Sequence, residues 1–185
     1  RPNIAVITNI TNDHLDRYNS IEDYAKAKFK ITTNQNKDDS FLFYAEDKII
    51  KSRLNSVNAS LYPIYTSTPI NAPNQGAFIE DSHLIMITKN NDIMTIEDLA
   101  LQGKHNTYNA LAAGLSARLL NVRSEMVRES LADFEGLEHR MENIGTIHGI
   151  QFINDSKATN VNSTYYALES INGKSIWIVG GVDKG

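Results

Sequence analysis

Asn154, Asp155, Ser156, Lys157, Ala158, Thr159 and Asn160 put an amide, a carboxylate, a hydroxyl and a cation into one short segment. Ile150, Phe152 and Ile153 before it read as a strand, and residues 164–168 after it read as a helix. A strand-to-helix turn at the carboxyl edge of an α/β sheet is where such folds place their ligands. Charged groups in that turn suit the binding of phosphate or carboxylate better than they suit fold stability.

Three further segments carry comparable chemistry. Thr8, Asn9, Ile10, Thr11, Asn12, Asp13, His14, Leu15, Asp16, Arg17 and Tyr18 follow a strand pattern, with His14 flanked by Asp13 and Asp16. An imidazole and carboxylate oxygens can ligate a divalent ion, or the carboxylates can orient the ring from outside. The alternative is a solvated loop whose histidine caps a neighbour. Gly103, Lys104, His105, Asn106, Thr107, Tyr108 and Asn109 open a helix pattern. Asn106 and Asn109 lie one turn apart, and an amide reads a base edge with donor and acceptor together. Capping by Asn106 is the other reading. Gly180, Gly181, Val182, Asp183, Lys184 and Gly185 follow a strand pattern. Paired glycines let backbone approach a ligand, and Lys184 suits a carboxylate or phosphate. An ordinary tight turn explains the same residues.

Lys28 is singled out by helical spacing. On a helix over 21–32, positions 21, 24, 25, 28, 31 and 32 share one face, occupied by Ile21, Tyr24, Ala25, Lys28, Ile31 and Thr32. A lysine aimed inward must be neutralised, paired or chemically changed, because an unpaired buried ammonium is costly. A neutral amine can capture carbon dioxide and become a carbamate, an anionic metal ligand. A lysine snorkelling from the edge of that face is the alternative. Gly173, Lys174 and Ser175 do not form a P-loop: Leu168 stands where the earlier glycine is needed, and the segment precedes a strand instead of opening a helix.

The elements that must position these residues follow from periodicity. Strands are expected at 4–8, 41–44, 61–65, 77–80, 84–87, 93–96 and 175–179. A hairpin is expected over about 142–153, turning at His148 and Gly149. Helices are expected at 21–32, opened by a Ser20–Asp23 capping box, and at 47–54, 106–120 and 124–133, the last capped by Ser124. Composition turns charged and aperiodic at 134–140, so a boundary is placed near Gly136. The domains are 1–136 and 137–185, both α/β, and the second is near the lower size limit for an independent core.

Bulk properties exclude some classes. The 185 residues hold 41% hydrophobic and 22% charged side chains, ordinary for a globular protein. A net charge of −4 gives no general pull toward nucleic acid or anionic membrane. Cysteine is absent, so disulfides and thiolate metal sites are excluded. No apolar run reaches the ~20 residues of a membrane span. The chain opens at Arg1 without an initiator methionine and ends just after a strand pattern, so it reads as an internal piece of a longer protein.

Together these segments resemble the Mur ligases, ATP-dependent amide-bond-forming enzymes of peptidoglycan precursor synthesis. The Asn9–Asp16 stretch is similar to a loop shared by several members, and the Gly103–Asn109 stretch to the family's adenine-contacting helix start. The Asp155–Asn160 turn resembles the branch that adds D-glutamate to UDP-N-acetylmuramoyl-L-alanine. Other branches, and folylpolyglutamate synthase, carry different residues there. The resemblance implies the later part of a central ATPase domain, followed by the start of a Rossmann-like C-terminal domain.

It also implies roles at matched positions. His14 and Lys28, the latter carbamylated, would hold magnesium, and both would be catalytic together with Lys157. Asn106 and Asn109 would meet adenine. Arg140, Asp155 and Lys157 would meet the ribose and phosphates of ATP. Thr159 and Lys184 would hold the D-glutamate carboxylate. The implied reaction runs through an acyl phosphate in a cytoplasmic monomer, with domain closure bringing the two sets of residues together. The family's P-loop, a further metal-binding glutamate and the uridine-binding domain have no counterpart here, so the piece alone is expected to be inactive. The alternatives are another amino-acid ligase of the superfamily or a non-catalytic nucleotide-binding module.

Overall fold

The β-branched run Ile4–Ile7 forms strand β1, and the aromatic run Ser40–Tyr44 forms β2. Strands β3 (Ser60–Ile64), β4 (Gly76–Glu80), β5 (His83–Ile87) and β6 (Asp92–Thr95) follow. The computed structural model describes residues 1–11, 17–88, 91–95, 99 and 104–181. Among these, β1 to β6 build one sheet in sequence order. β1 to β4 run parallel, whereas β5 and β6 are antiparallel.

Parallel neighbours need crossovers. Helix α1 (Ile21–Phe29) lies between β1 and β2, and the short α2 (Lys48–Lys51) between β2 and β3. Ser20 caps α1 as its spacing predicts: its hydroxyl accepts from Asp23 N at 3.1 Å. β4 and β5 instead meet through Asp81 and Ser82, both at positive φ (45° and 64°), as a two-residue hairpin turn requires. Gly76 opens β4 at φ 134°, where a Cβ would stand 2.3 Å from the Pro63 carbonyl oxygen.

Alternation along β2 sends side chains to both faces. Phe41 and Phe43 join Tyr24, Ala25 and Phe29 of α1 in one core, with Phe29 and Phe41 rings 5.8 Å apart. Leu42 joins Leu84, Met86, Leu111 and Leu115 in the other core, beneath α3 (Lys104–Leu119). α3 can approach β5 because Gly114 carries no Cβ, which would meet the Met86 methyl at 2.4 Å. Val127 of α4 (Ser124–Ala132) closes the same core.

Three expectations need correction. Ser124 does not cap α4. Arg123 holds the cap position, and the Ser124 hydroxyl donates to the Asp92 carboxylate, which also pairs with Arg118. A charged acceptor in reach outcompetes a local cap. The helix expected over 47–54 contracts to Lys48–Lys51, with a separate 3₁₀ turn at Leu54–Ser56. The apolar run 175–179 forms no strand among the described residues, and Ile176 and Ile178 are 95% and 92% exposed. A strand exists only where a neighbouring edge takes its backbone hydrogen bonds.

The chain divides into two compact units, one over residues 1–133 and one beginning at Phe134. The second contains the hairpin β7 (Glu142–Ile147) and β8 (Ile150–Asn154), turning at His148 (φ 51°) and Gly149 (φ 79°). Helix α5 (Val161–Glu169) follows, starting earlier than periodicity suggests. Asn160 caps it, its side-chain oxygen accepting from Ser163 N at 2.8 Å. Among the described residues no helix is long and apolar enough to cross a membrane.

Candidate functional site

Because β1, β2 and β3 are parallel, their carboxyl ends open on one edge of the sheet. Past β1, the Ile10 side chain is buried (4% exposed) and its N–H donates to Asp47 Oδ2 at 2.9 Å. Asp47 Oδ1 accepts from Ile49 N (2.8 Å) and Ile50 N (3.0 Å), capping α2. One carboxylate therefore ties the exit of β1 to the exit of β2. Asp13, His14 and Asp16 lie outside the described residues.

Lys28 is not buried. Its side chain is exposed, with Nζ 5.1 Å from the Tyr24 ring centroid. It borders an open hollow of about 250 Å³ lined by Arg17, Tyr18, Tyr24, Ala27 and Lys28. The face inferred from spacing is buried at Tyr24, Ala25 and Thr32 but open at Lys28 and Ile31. The helix tightens to a 3₁₀ turn at Lys30–Thr32, and the changed period carries Ile31 off the face. Lys28 rides over the Tyr24 ring, a cation–π contact worth roughly 0.5–1 kcal/mol at exposed sites. Burial therefore gives this amine no reason to be modified.

Sequence reasoning missed a polar cluster on the same edge. The Tyr44 hydroxyl donates to Glu46 Oε2 at 2.5 Å, and the Thr66 and Ser67 hydroxyls donate to Glu46 at 3.3 and 3.2 Å. The Tyr44 ring meets the Tyr108 ring edge-on at 4.9 Å. The Tyr108 hydroxyl is buried without a hydrogen-bond partner among the described residues. Burial, then Tyr44 and the Asp47 carboxylate, push its phenol well above the ordinary range. Tyr44 ends an apolar strand pattern and Asp47 precedes an apolar run, which was the only signal available.

α3 begins at Lys104, so Asn106 lies inside its first turn and is not the cap. Asn106 is half-buried and Asn109 exposed. The buried Asp39 is a carboxylate of a different kind. It lies at the opposite edge, before β2, paired with Arg1 at 3.0 Å and accepting from Asn36 N at 2.8 Å.

In the second unit the turn after β8 leads from the expected antiparallel hairpin into a helix, also as expected. Asp155 Oδ1 accepts from Met141 N at 3.1 Å, and Lys157 N donates to the His139 carbonyl at 3.1 Å. These bonds bring the Arg140 turn beside the Asp155–Lys157 turn. His139 and Met141, at φ 65° and 48°, bracket Arg140 in that bend. Asn154 Nδ2 meets His139 Nδ1 at 2.8 Å and Glu142 at 3.2 Å. Arg140, Lys157 and Thr159 are exposed. Lys184 lies outside the described residues.

The family description "Mur ligase middle domain" matches residues 1–117. The chain belongs to the Mur ligase family. It is 46% identical over its whole length to a UDP-N-acetylmuramoylalanine--D-glutamate ligase from Christiangramia forsetii, and 49% identical to one from Bacteroides thetaiotaomicron. It spans 42% of the length of each. Among solved structures, MurF from Acinetobacter baumannii aligns with TM-score 0.72 at 21% identity, over 93% of this chain and 38% of that one. A pseudomurein peptide ligase type C from Methanothermus fervidus aligns with TM-score 0.70 at 25% identity, over 94% and 42%. These neighbours share the mixed α/β fold. The Mur ligase match takes in Asp47, Lys28, Asn106 and Asn109.

Proposed function

We propose that this chain is part of an ATP-dependent ligase that adds D-glutamate to UDP-N-acetylmuramoyl-L-alanine through an acyl phosphate. The observation that carries this reading is the 46–49% identity, across the whole chain, to relatives bearing that ligase name. On this reading 1–136 is the later part of the central ATP-binding domain and 137–185 begins the C-terminal one. ATP would supply the phosphoryl group that activates the L-alanine carboxylate, with magnesium neutralising the crowded negative charge.

Asn109 is exposed one turn from Asn106, so its amide can meet a base edge. The fit to magnesium is conditional. Lys28 lines the hollow, and an ammonium does not hold a metal ion. If the Lys28 amine loses a proton and attacks carbon dioxide, it becomes an N-carboxylate after a second proton leaves. That anion would serve as a ligand alongside His14, and exposure of Nζ leaves it open to carbon dioxide. Arg140, Asp155 and Lys157 would contact ribose and phosphates, and Thr159 and Lys184 the D-glutamate carboxylate.

The test uses the full-length protein, UDP-N-acetylmuramoyl-L-alanine, ATP and a panel of amino acids. D-glutamate-dependent phosphate release and a D-glutamyl product are expected. Preference for another amino acid, or ATP binding without ligation, would sink the proposal. Lys28→Ala should reduce turnover by at least about 10-fold with the fold intact, and formate or acetate should restore part of it. Full activity in that variant, unmoved by either anion, rules out the carbamate.

A further inference from the structure

Asp47 does more than a helix cap needs. Capping requires one oxygen, and Asn or Ser would serve as well. Here Oδ1 alone accepts the two α2 amides, Ile49 N and Ile50 N. Oδ2 is committed to Ile10 N, 37 positions earlier in the chain, at 2.9 Å. Without that oxygen, a main-chain donor on a residue whose side chain is 4% exposed would lack its acceptor. An aspartate is the short side chain whose two acceptors reach both partners at once. The held residue lies at the exit of β1, four positions before His14.

We propose that Asp47 is a positioning residue: its carboxylate clamps the exit of β1, at Ile10, onto the first turn of α2. This deepens the ligase reading, in which His14 holds the cation, and its importance for activity rests on that reading. The clamp itself does not. Ile10 also sits in the core formed by Ala5, Ile7, Phe43, Ala45 and Ile50, so the bond is backed by packing on both strands.

Asp47→Asn and Asp47→Ser in the full-length protein separate the two oxygens. Each keeps a cap acceptor for α2, while the amide presents a donor to Ile10 N–H and the serine hydroxyl falls short of it. Hydrogen exchange over residues 8–18 should quicken about tenfold in both variants while residues 48–51 keep their protection. The magnesium concentration for half-maximal turnover should rise about fivefold, with KM for D-glutamate within about twofold. Unchanged exchange over 8–18, or equal acceleration over 48–51, overturns the clamp. Accelerated exchange with an unmoved magnesium requirement overturns its role in cation binding. If the wild-type protein forms no D-glutamyl product, the ligase reading fails, and the exchange comparison still decides the clamp.

Discussion

Replacing Tyr108 by phenylalanine removes a buried hydroxyl that no described residue pairs. Tyr108 is 6% exposed and its oxygen has no hydrogen-bond partner among the described residues. A buried polar group left unsatisfied costs roughly 1–3 kcal/mol. The ring itself is well used, because its edge contact with Tyr44 at 4.9 Å survives in phenylalanine. Tyr108→Phe should therefore stabilise the first unit at pH 7 by about 1 kcal/mol.

The same residue sets a pH dependence whose sign can be worked out. The unfolded phenol ionises near pH 10. Burial, Tyr44 and Asp47 hold the folded phenol protonated well beyond that. Above about pH 10 the unfolded chain has released a proton that the folded chain keeps, so raising the pH favours unfolding. Below that pH the ionisation of Tyr108 leaves stability unchanged, and above it the folded state loses stability as pH rises, at up to about 1.4 kcal/mol per unit. Urea unfolding of the full-length protein and of Tyr108→Phe, at pH 7 and at steps between 10 and 11.5, measures both effects. The gap between the two proteins should widen with pH. A variant less stable by more than about 1 kcal/mol at pH 7, or a gap that stays constant with pH, refutes the reasoning.

Two further substitutions probe the scaffold. Gly76→Ala places a Cβ 2.3 Å from the Pro63 carbonyl at φ 134°, so it should destabilise the first unit by about 2 kcal/mol or more, read by urea unfolding. Leu111→Ala empties a fully buried site between α3 and the sheet and should cost about 2–5 kcal/mol, read the same way.

Local patterns carried much of the fold. Alternating and β-branched runs announced β1, β2 and β3. Ser20 with Asp23 announced the start of α1, and His148-Gly149 announced the β7–β8 turn. Each depends on residues close in the chain, whose geometry is set by backbone sterics and nearby hydrogen bonds. Ser124 was misread because its acceptor, Asp92, is 32 positions away. Lys28 was misread because helical spacing defines a face but does not say how far the rest of the fold covers it. Asp47 read only as the start of a helix, since its bond to Ile10 exists only when two parallel strands end side by side.

Residue types and their order along the chain determined which chemistry this protein can hold: an imidazole between carboxylates, paired amides, and a turn rich in polar and charged groups. They also determined the α/β alternation, because hydrophobic period is a local property. Tertiary structure decided which of those groups meet. It brought the ends of β1 and β2 under one carboxylate, set the Tyr108 ring against Tyr44, and left Lys28 over an open hollow. Such encounters join residues tens of positions apart, and only the packed sheet and its helices fix those distances.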